Sequence, residues 1–144
     1  MTECSDRDRQ TSSDGLLLIV RLCLAAVFLF SGITKAMDWQ GALAEFGSIG
    51  LPAPALAVTA TAAVQVLAGL AVAIGWRARL AALTLAGFTV VATLIGHPFW
   101  AFEGIEFMRQ LTTALEHLAI VGGFILLAVV GPGRFSIAPE EPEA

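Results

Sequence analysis

The chain has 144 residues and a formal net charge of −4, with 57% hydrophobic and only 14% charged residues, and its mean hydropathy is +0.81. One domain of this size cannot hide that much apolar surface in a water-soluble core, so composition excludes an ordinary soluble enzyme and indicates an integral membrane protein. Much of the acidic charge lies at the two ends, in Glu3, Asp6, Asp8 and Asp14 and again in Glu140, Glu141 and Glu143, and nothing resembles the basic footprint of a nucleic-acid-binding protein.

A membrane span needs about 20 mostly apolar residues to cross about 30 Å of hydrocarbon. Four windows meet that length: 16–35, 54–74, 79–96 and 109–130. None shows the period-two alternation of a barrel strand. Backbone groups left unpaired in lipid are costly, so each window is expected to be a helix. The fold class that follows is all-α, an integral membrane four-helix bundle with short connections. Residues 1–14 read as a disordered cytoplasmic tail, 15–137 as the transmembrane domain and 138–144 as a disordered acidic tail. The first window could be taken for a secretory signal, but no small-x-small cleavage site follows it and three more spans do.

The connections differ in chemistry. Between the second and third windows, Gly75-Trp76-Arg77-Ala78-Arg79 combines a helix-ending glycine with an interfacial aromatic and two cations, and it predicts a tight antiparallel hairpin. The segments 38–53 and 98–107 carry Trp39, Phe46, Phe99, Trp100 and Phe102, and both read as aromatic loops capping the bundle in the headgroup region. Arg7, Arg9, Arg21, Arg77, Arg79 and Arg134 fall on one side of the membrane, against Lys35 and Arg109 on the other. The positive-inside rule then puts both termini in the cytoplasm and the aromatic loops outside.

Ionisable groups are expensive inside a bilayer and usually face a protein interior or a wet cavity. Lys35, Gln65, His97, Arg109, Glu116 and His117 can all reach the outer half of such a bundle, whereas Arg21 lies toward the opposite face, where it snorkels or pairs locally. On the last helix Arg109, Thr112, Thr113, Glu116 and, more loosely, His117 form a polar stripe. Two readings stand for this cluster. In the structural one, Lys35 or Arg109 pairs with Glu116 and the cluster fixes helix packing. In the functional one, Glu116 and His117 exchange protons in a pocket where Lys35, Gln65, His97 and Arg109 bind an oxygen-bearing substrate; the imidazole suits this because its ordinary pKa of about 6.5 allows either protonation state. A haem between His97 and His117 is a weaker alternative, and one glutamate with two histidines falls short of a di-iron carboxylate set. Cys4 and Cys23 form no metal, haem-attachment or disulfide motif, so no metal site is expected.

The chain resembles the DoxX family of four-helix membrane proteins from about Leu16 to Ala138. The resemblance is carried by Arg21 with Phe28-Leu29-Phe30-Ser31-Gly32-Ile33-Thr34-Lys35, by the stretch Gly69 to Arg79, by Gly96-His97-Pro98-Phe99-Trp100, and by Gly122-Gly123 leading to Gly131-Pro132-Gly133-Arg134-Phe135-Ser136. Gln65 stands where the family often has glutamate, and Glu116-His117 where it often has Lys-Asn. The resemblance implies a bacterial inner-membrane protein tied to redox metabolism, since some relatives are subunits of thiosulfate:quinone oxidoreductases or join membrane-associated oxidoreductase complexes.

Together these observations lead to a membrane subunit of a quinone- or sulfur-anion-linked redox system. The chain has no dinucleotide, flavin or iron–sulfur motif, so a quinone is the cofactor such a pocket would take and a redox partner subunit is needed for the rest. The alternative is a non-catalytic scaffold or assembly factor recruiting partner proteins. The lipid bilayer and a second copy of the chain are the other expected partners. A transporter is a third and weaker reading, because no inverted repeat or pair of broken helices is evident.

Overall fold

The computed structural model describes residues 2–137, with side chains from residue 13 onward; the acidic tail expected at 138–144 lies outside the described residues. Among the described residues five α-helices follow one another, α1 (Thr2–Met37), α2 (Trp39–Ser48), α3 (Pro54–Ile74), α4 (Ala78–Gly96) and α5 (Gly104–Val130), with a 3₁₀ turn at Phe99–Ala101 before the last. Four segments are long and apolar enough to cross a membrane: Ser13–Met37, Pro54–Ile74, Ala78–Ala101 and Gly104–Val130. The all-α bundle expected from hydropathy is therefore the observed architecture. It is also inside-out in the manner lipid requires, since Phe30, Leu67, Leu80, Leu118 and Leu126 are all exposed on its outer surface.

Three expectations change. The segment 38–53, read as a loop, contains helix α2, because Asp38 caps it: its Oδ1 accepts a hydrogen bond from the Gly41 N–H at 3.0 Å. Of Gly41, Gly47 and Gly50 in this segment, only Gly50 adopts a left-handed conformation, at φ +83°. Helix α5 begins at Gly104 and not near Arg109, which brings Glu106 and Phe107 into its first turn. The backbone of α1 runs back to Thr2 through the segment read as a disordered tail. No glycine or proline interrupts residues 2–14, and extending an existing helix is far easier than nucleating one.

Helix α1 packs chiefly on α3, and α5 chiefly on α4, with the two pairs joined through α3 and α4. Small residues set these distances. A Cβ on Gly32 of α1 would lie 2.8 Å from Val66 Cγ2 and 3.2 Å from the Ala62 carbonyl of α3, so only glycine permits this approach. Ala71 of α3 and Ala81, Ala82 and Ala86 of α4 are buried in one core cluster with Phe28, which stands edge to face with Phe124 at 5.3 Å and Phe88 at 6.4 Å. Gly123 abuts Leu24, whereas Gly122 faces open space.

The hairpin between α3 and α4 forms as the sequence predicts. Gly75 takes φ +77°, with Gly75 N–H on Val72 O at 3.2 Å and Trp76 N–H on Ala71 O at 2.9 Å, the paired bonds of a Schellman cap. Arg21, fully buried at the same end of the bundle, settles its charge locally: its guanidinium donates to Pro132 O at 2.7 Å, Phe135 O at 2.6 Å and Ala73 O at 3.2 Å. It thereby straps the segment after α5 across the C-terminus of α3, where carbonyl dipoles favour a cation. Asp14 adds an N–H bond from Arg134 at 3.2 Å.

Candidate functional site

At the end of the bundle opposite Arg21, all five helices line an open cavity of about 440 Å³, within the size range of small-molecule sites. Its wall is mainly apolar: Val27 and Phe28 of α1, Phe46 of α2, Ala57 and Ala60 of α3, Phe88, Ala92 and Ile95 of α4, and Ile120 of α5. Into this wall are set Ser31 and Lys35, Glu45, Gln65, Thr89, His97 and His117. Helix α2 closes one side, so the segment read as a loop is structurally part of the site.

Hydrogen bonds to neighbouring side chains position Lys35 and both histidines. Lys35 extends one turn back and donates to Ser31 Oγ at 2.9 Å. Gln65 lies midway along α3, held against Gly32, and is 6% exposed; its Oε1 has no hydrogen-bond partner among the described residues. His97 caps the C-terminus of α4, and its Nδ1 meets Gln110 Oε1 at 2.8 Å. Gln110 Nε2 in turn donates to Glu106 Oε1 at 2.9 Å, the carboxylate that pairs with Arg109 at 2.8 Å. On the neighbouring turn His117 Nδ1 meets Thr93 Oγ1 at 2.7 Å. The two imidazoles touch edge to face with centroids 5.2 Å apart, so no macrocycle fits between them. Among the described residues no group of three or more His, Cys, Asp or Glu could hold a metal.

Of the six residues singled out from sequence, the fold brings Lys35, Gln65, His97 and His117 to one cavity and leaves Arg109 and Glu116 outside it. Arg109 is exposed at the entrance to α5 and pairs with Glu106. Glu116 is exposed on the outer face of the same helix, and no described side chain hydrogen-bonds to it. The Lys35–Glu116 and Arg109–Glu116 ion pairs of the structural reading do not form. The expected stripe along α5 divides because neighbouring residues on a helix diverge by about 100°: Arg109, Thr112 and Glu116 share the outer face, while Gln110 and His117 turn inward.

Sequence reasoning missed Thr93, Gln110 and Glu45. The first two were legible in principle, since Thr89, Thr93 and His97 repeat every four residues on α4 and Gln110 precedes His117 by seven on α5. Glu45 depended on recognising α2.

A model of the DoxX family matches residues 16–98, more than half of the chain and all but the last of its spans. The chain belongs to the DoxX family. Among its relatives are two inner membrane proteins of Escherichia coli, YphA, 30% identical over 85% of this chain and 87% of the relative, and YqjF, 32% identical over 84% and 88%. A Bacillus subtilis protein named "Putative oxidoreductase CatD" is 29% identical over 76% of this chain and 81% of its own length. No solved structure matches the chain. With four membrane-length helices and relatives of this kind, the chain is a multi-pass inner-membrane DoxX protein.

Proposed function

We propose that the cavity binds the ring of a quinone or related oxygen-bearing aromatic, and that the protein serves as the membrane subunit of a redox system. The observation that carries this reading is the convergence of Lys35, Gln65, His97 and His117 on one mainly apolar cavity of about 440 Å³. Aromatic and aliphatic walls suit a ring, and a few polar groups suit its oxygens. A sulfur anion is the poorer occupant, because Lys35 is the only lysine or arginine on the wall and Glu45 opposes an anion. The chain has no electron-carrying motif, so electrons pass to or from a partner subunit.

By the positive-inside rule both termini face the cytoplasm, which puts the cavity in the outer half of the membrane. A reporter fused after Arg77 should behave as cytoplasmic; an exported reporter overturns this orientation. The ring reading is tested by titrating purified protein in nanodiscs with decylubiquinone, following the quenching of tryptophan fluorescence. Saturable binding that weakens in His117→Phe and in Lys35→Met supports it, and unchanged affinity in both variants overturns it.

One observation favours a second reading, that of a scaffold. Glu116 sits on the membrane-facing side of α5 within a span, where a carboxylate needs a partner. A partner subunit seated on this face supplies one. Loss of a co-purifying subunit in Glu116→Leu, with ring binding intact, supports this role.

A further inference from the structure

Two hydrogen-bond chains fix which nitrogen of each cavity histidine carries its proton. Thr93 has one hydroxyl proton, and its Oγ1 lies 2.6 Å from Thr89 O, an atom that can only accept. If the proton turned toward His117 instead, two acceptor oxygens would face each other at that distance. Thr93 Oγ1 therefore accepts from His117, whose Nδ1 carries the proton. The second chain starts at Glu106, a carboxylate paired with Arg109 and able only to accept. It fixes the Gln110 amide with Nε2 toward Glu106 and Oε1 toward His97, so that His97 Nδ1 must donate as well. Reversing the amide would bring Gln110 Oε1 against the carboxylate, and reversing the imidazole proton would bring its lone pair against Gln110 Oε1.

In their neutral forms both imidazoles are thus Nδ1–H tautomers whose Nε2 atoms carry lone pairs, and neither Nε2 takes a hydrogen bond from a described residue. Gln65 also lines this wall, and its Oε1, buried beneath the surface, has no hydrogen-bond partner among the described residues. Histidines held in this way often ligate metals, but the absence of a third His, Cys, Asp or Glu ligand among the described residues removes that use here. Beside these acceptors the wall offers Lys35 as its one cationic donor, with one of its three N–H bonds given to Ser31 Oγ.

We infer that the acceptor pair His97 Nε2 and His117 Nε2 makes the cavity select the hydroxyl-bearing form of its ring ligand, a phenol or quinol, over the carbonyl-bearing quinone. This rests on the ring-binding reading above and adds the form preferred. A ring hydroxyl donates to an imidazole lone pair, whereas a quinone oxygen meets it as a second acceptor and leaves both unsatisfied. Thr93 and Gln110 act as positioning residues.

The test has two arms, both on full-length protein in nanodiscs. Histidine ¹⁵N spectra above neutral pH should report Nδ1–H for both rings, moving toward Nε2–H for His117 in Thr93→Val and for His97 in Gln110→Leu. Under anaerobic conditions decylubiquinol should bind about tenfold or more tightly than decylubiquinone, and 4-octylphenol should outcompete its methyl ether by a similar factor. Both ratios should fall toward unity in the two variants. Nε2–H tautomers in the unaltered protein, or both forms of the ring binding equally, overturn the inference and leave the ring-binding reading standing. Failure of all four probes to bind overturns both.

Discussion

His97 and His117 lie on different helices, yet their rings meet edge to face at 5.2 Å, and each is held by a hydrogen bond through Nδ1 to a side chain of the other's helix. His97 of the α4 terminus is held by Gln110 of α5, and His117 of α5 by Thr93 of α4. This reciprocal clasp ties the two helices together and sets both rings at the cavity wall.

Because the clasp is reciprocal, cutting one half should loosen the other. Gln110→Leu is expected to cost about 1 kcal/mol, the net worth of a part-buried hydrogen bond, and to weaken ring binding even though Gln110 does not line the cavity. Thermal unfolding in detergent, with a titration below the midpoint, separates the two effects. A variant as stable as the parent, with unchanged affinity, counts against the clasp.

Gln65→Leu should act in opposite directions on stability and binding. It removes a buried Oε1 that has no partner among the described residues, so stability should rise by about 1 kcal/mol, while affinity for a phenol falls. Such opposition marks a residue kept for a ligand and not for packing. A stability loss with unchanged affinity would show that Gln65 is structural.

At the other end of the bundle, Arg21→Met should destabilise the protein by about 2–4 kcal/mol, since the carbonyls of Pro132 and Phe135 lose a charged donor and the side chain is fully buried. Hydrogen exchange should accelerate first in residues 131–137. If exchange there stays at the parental rate, the strap is not what holds that segment.

The glycines give a paired control. Gly32→Ala places a Cβ 2.8 Å from Val66 Cγ2 and 3.2 Å from the Ala62 carbonyl, and should cost about 1–3 kcal/mol as α1 is pushed from α3. Gly122→Ala, with nothing within 4 Å, should be neutral or slightly stabilising because alanine is the better helix former. Equal effects of the two in thermal melts would refute the close α1–α3 approach.

Length and hydropathy alone determined that the chain crosses the membrane four times as a helical bundle, because a backbone in lipid has no other way to satisfy its polar groups at that spacing. Gly75 and the arginines that follow it made the α3–α4 hairpin legible, since a left-handed helix end needs glycine. The inventory of polar residues worth examining was also present, and four of its six members reach the cavity. Only the tertiary structure decided which four. Glu116 and His117 are neighbours in sequence but diverge by about 100° around α5, and whether either direction points inward depends on where α4 lies. Helix α2, the Thr93 and Gln110 anchors and the cavity itself were likewise set by packing between elements, where distance along the chain says little about distance in space.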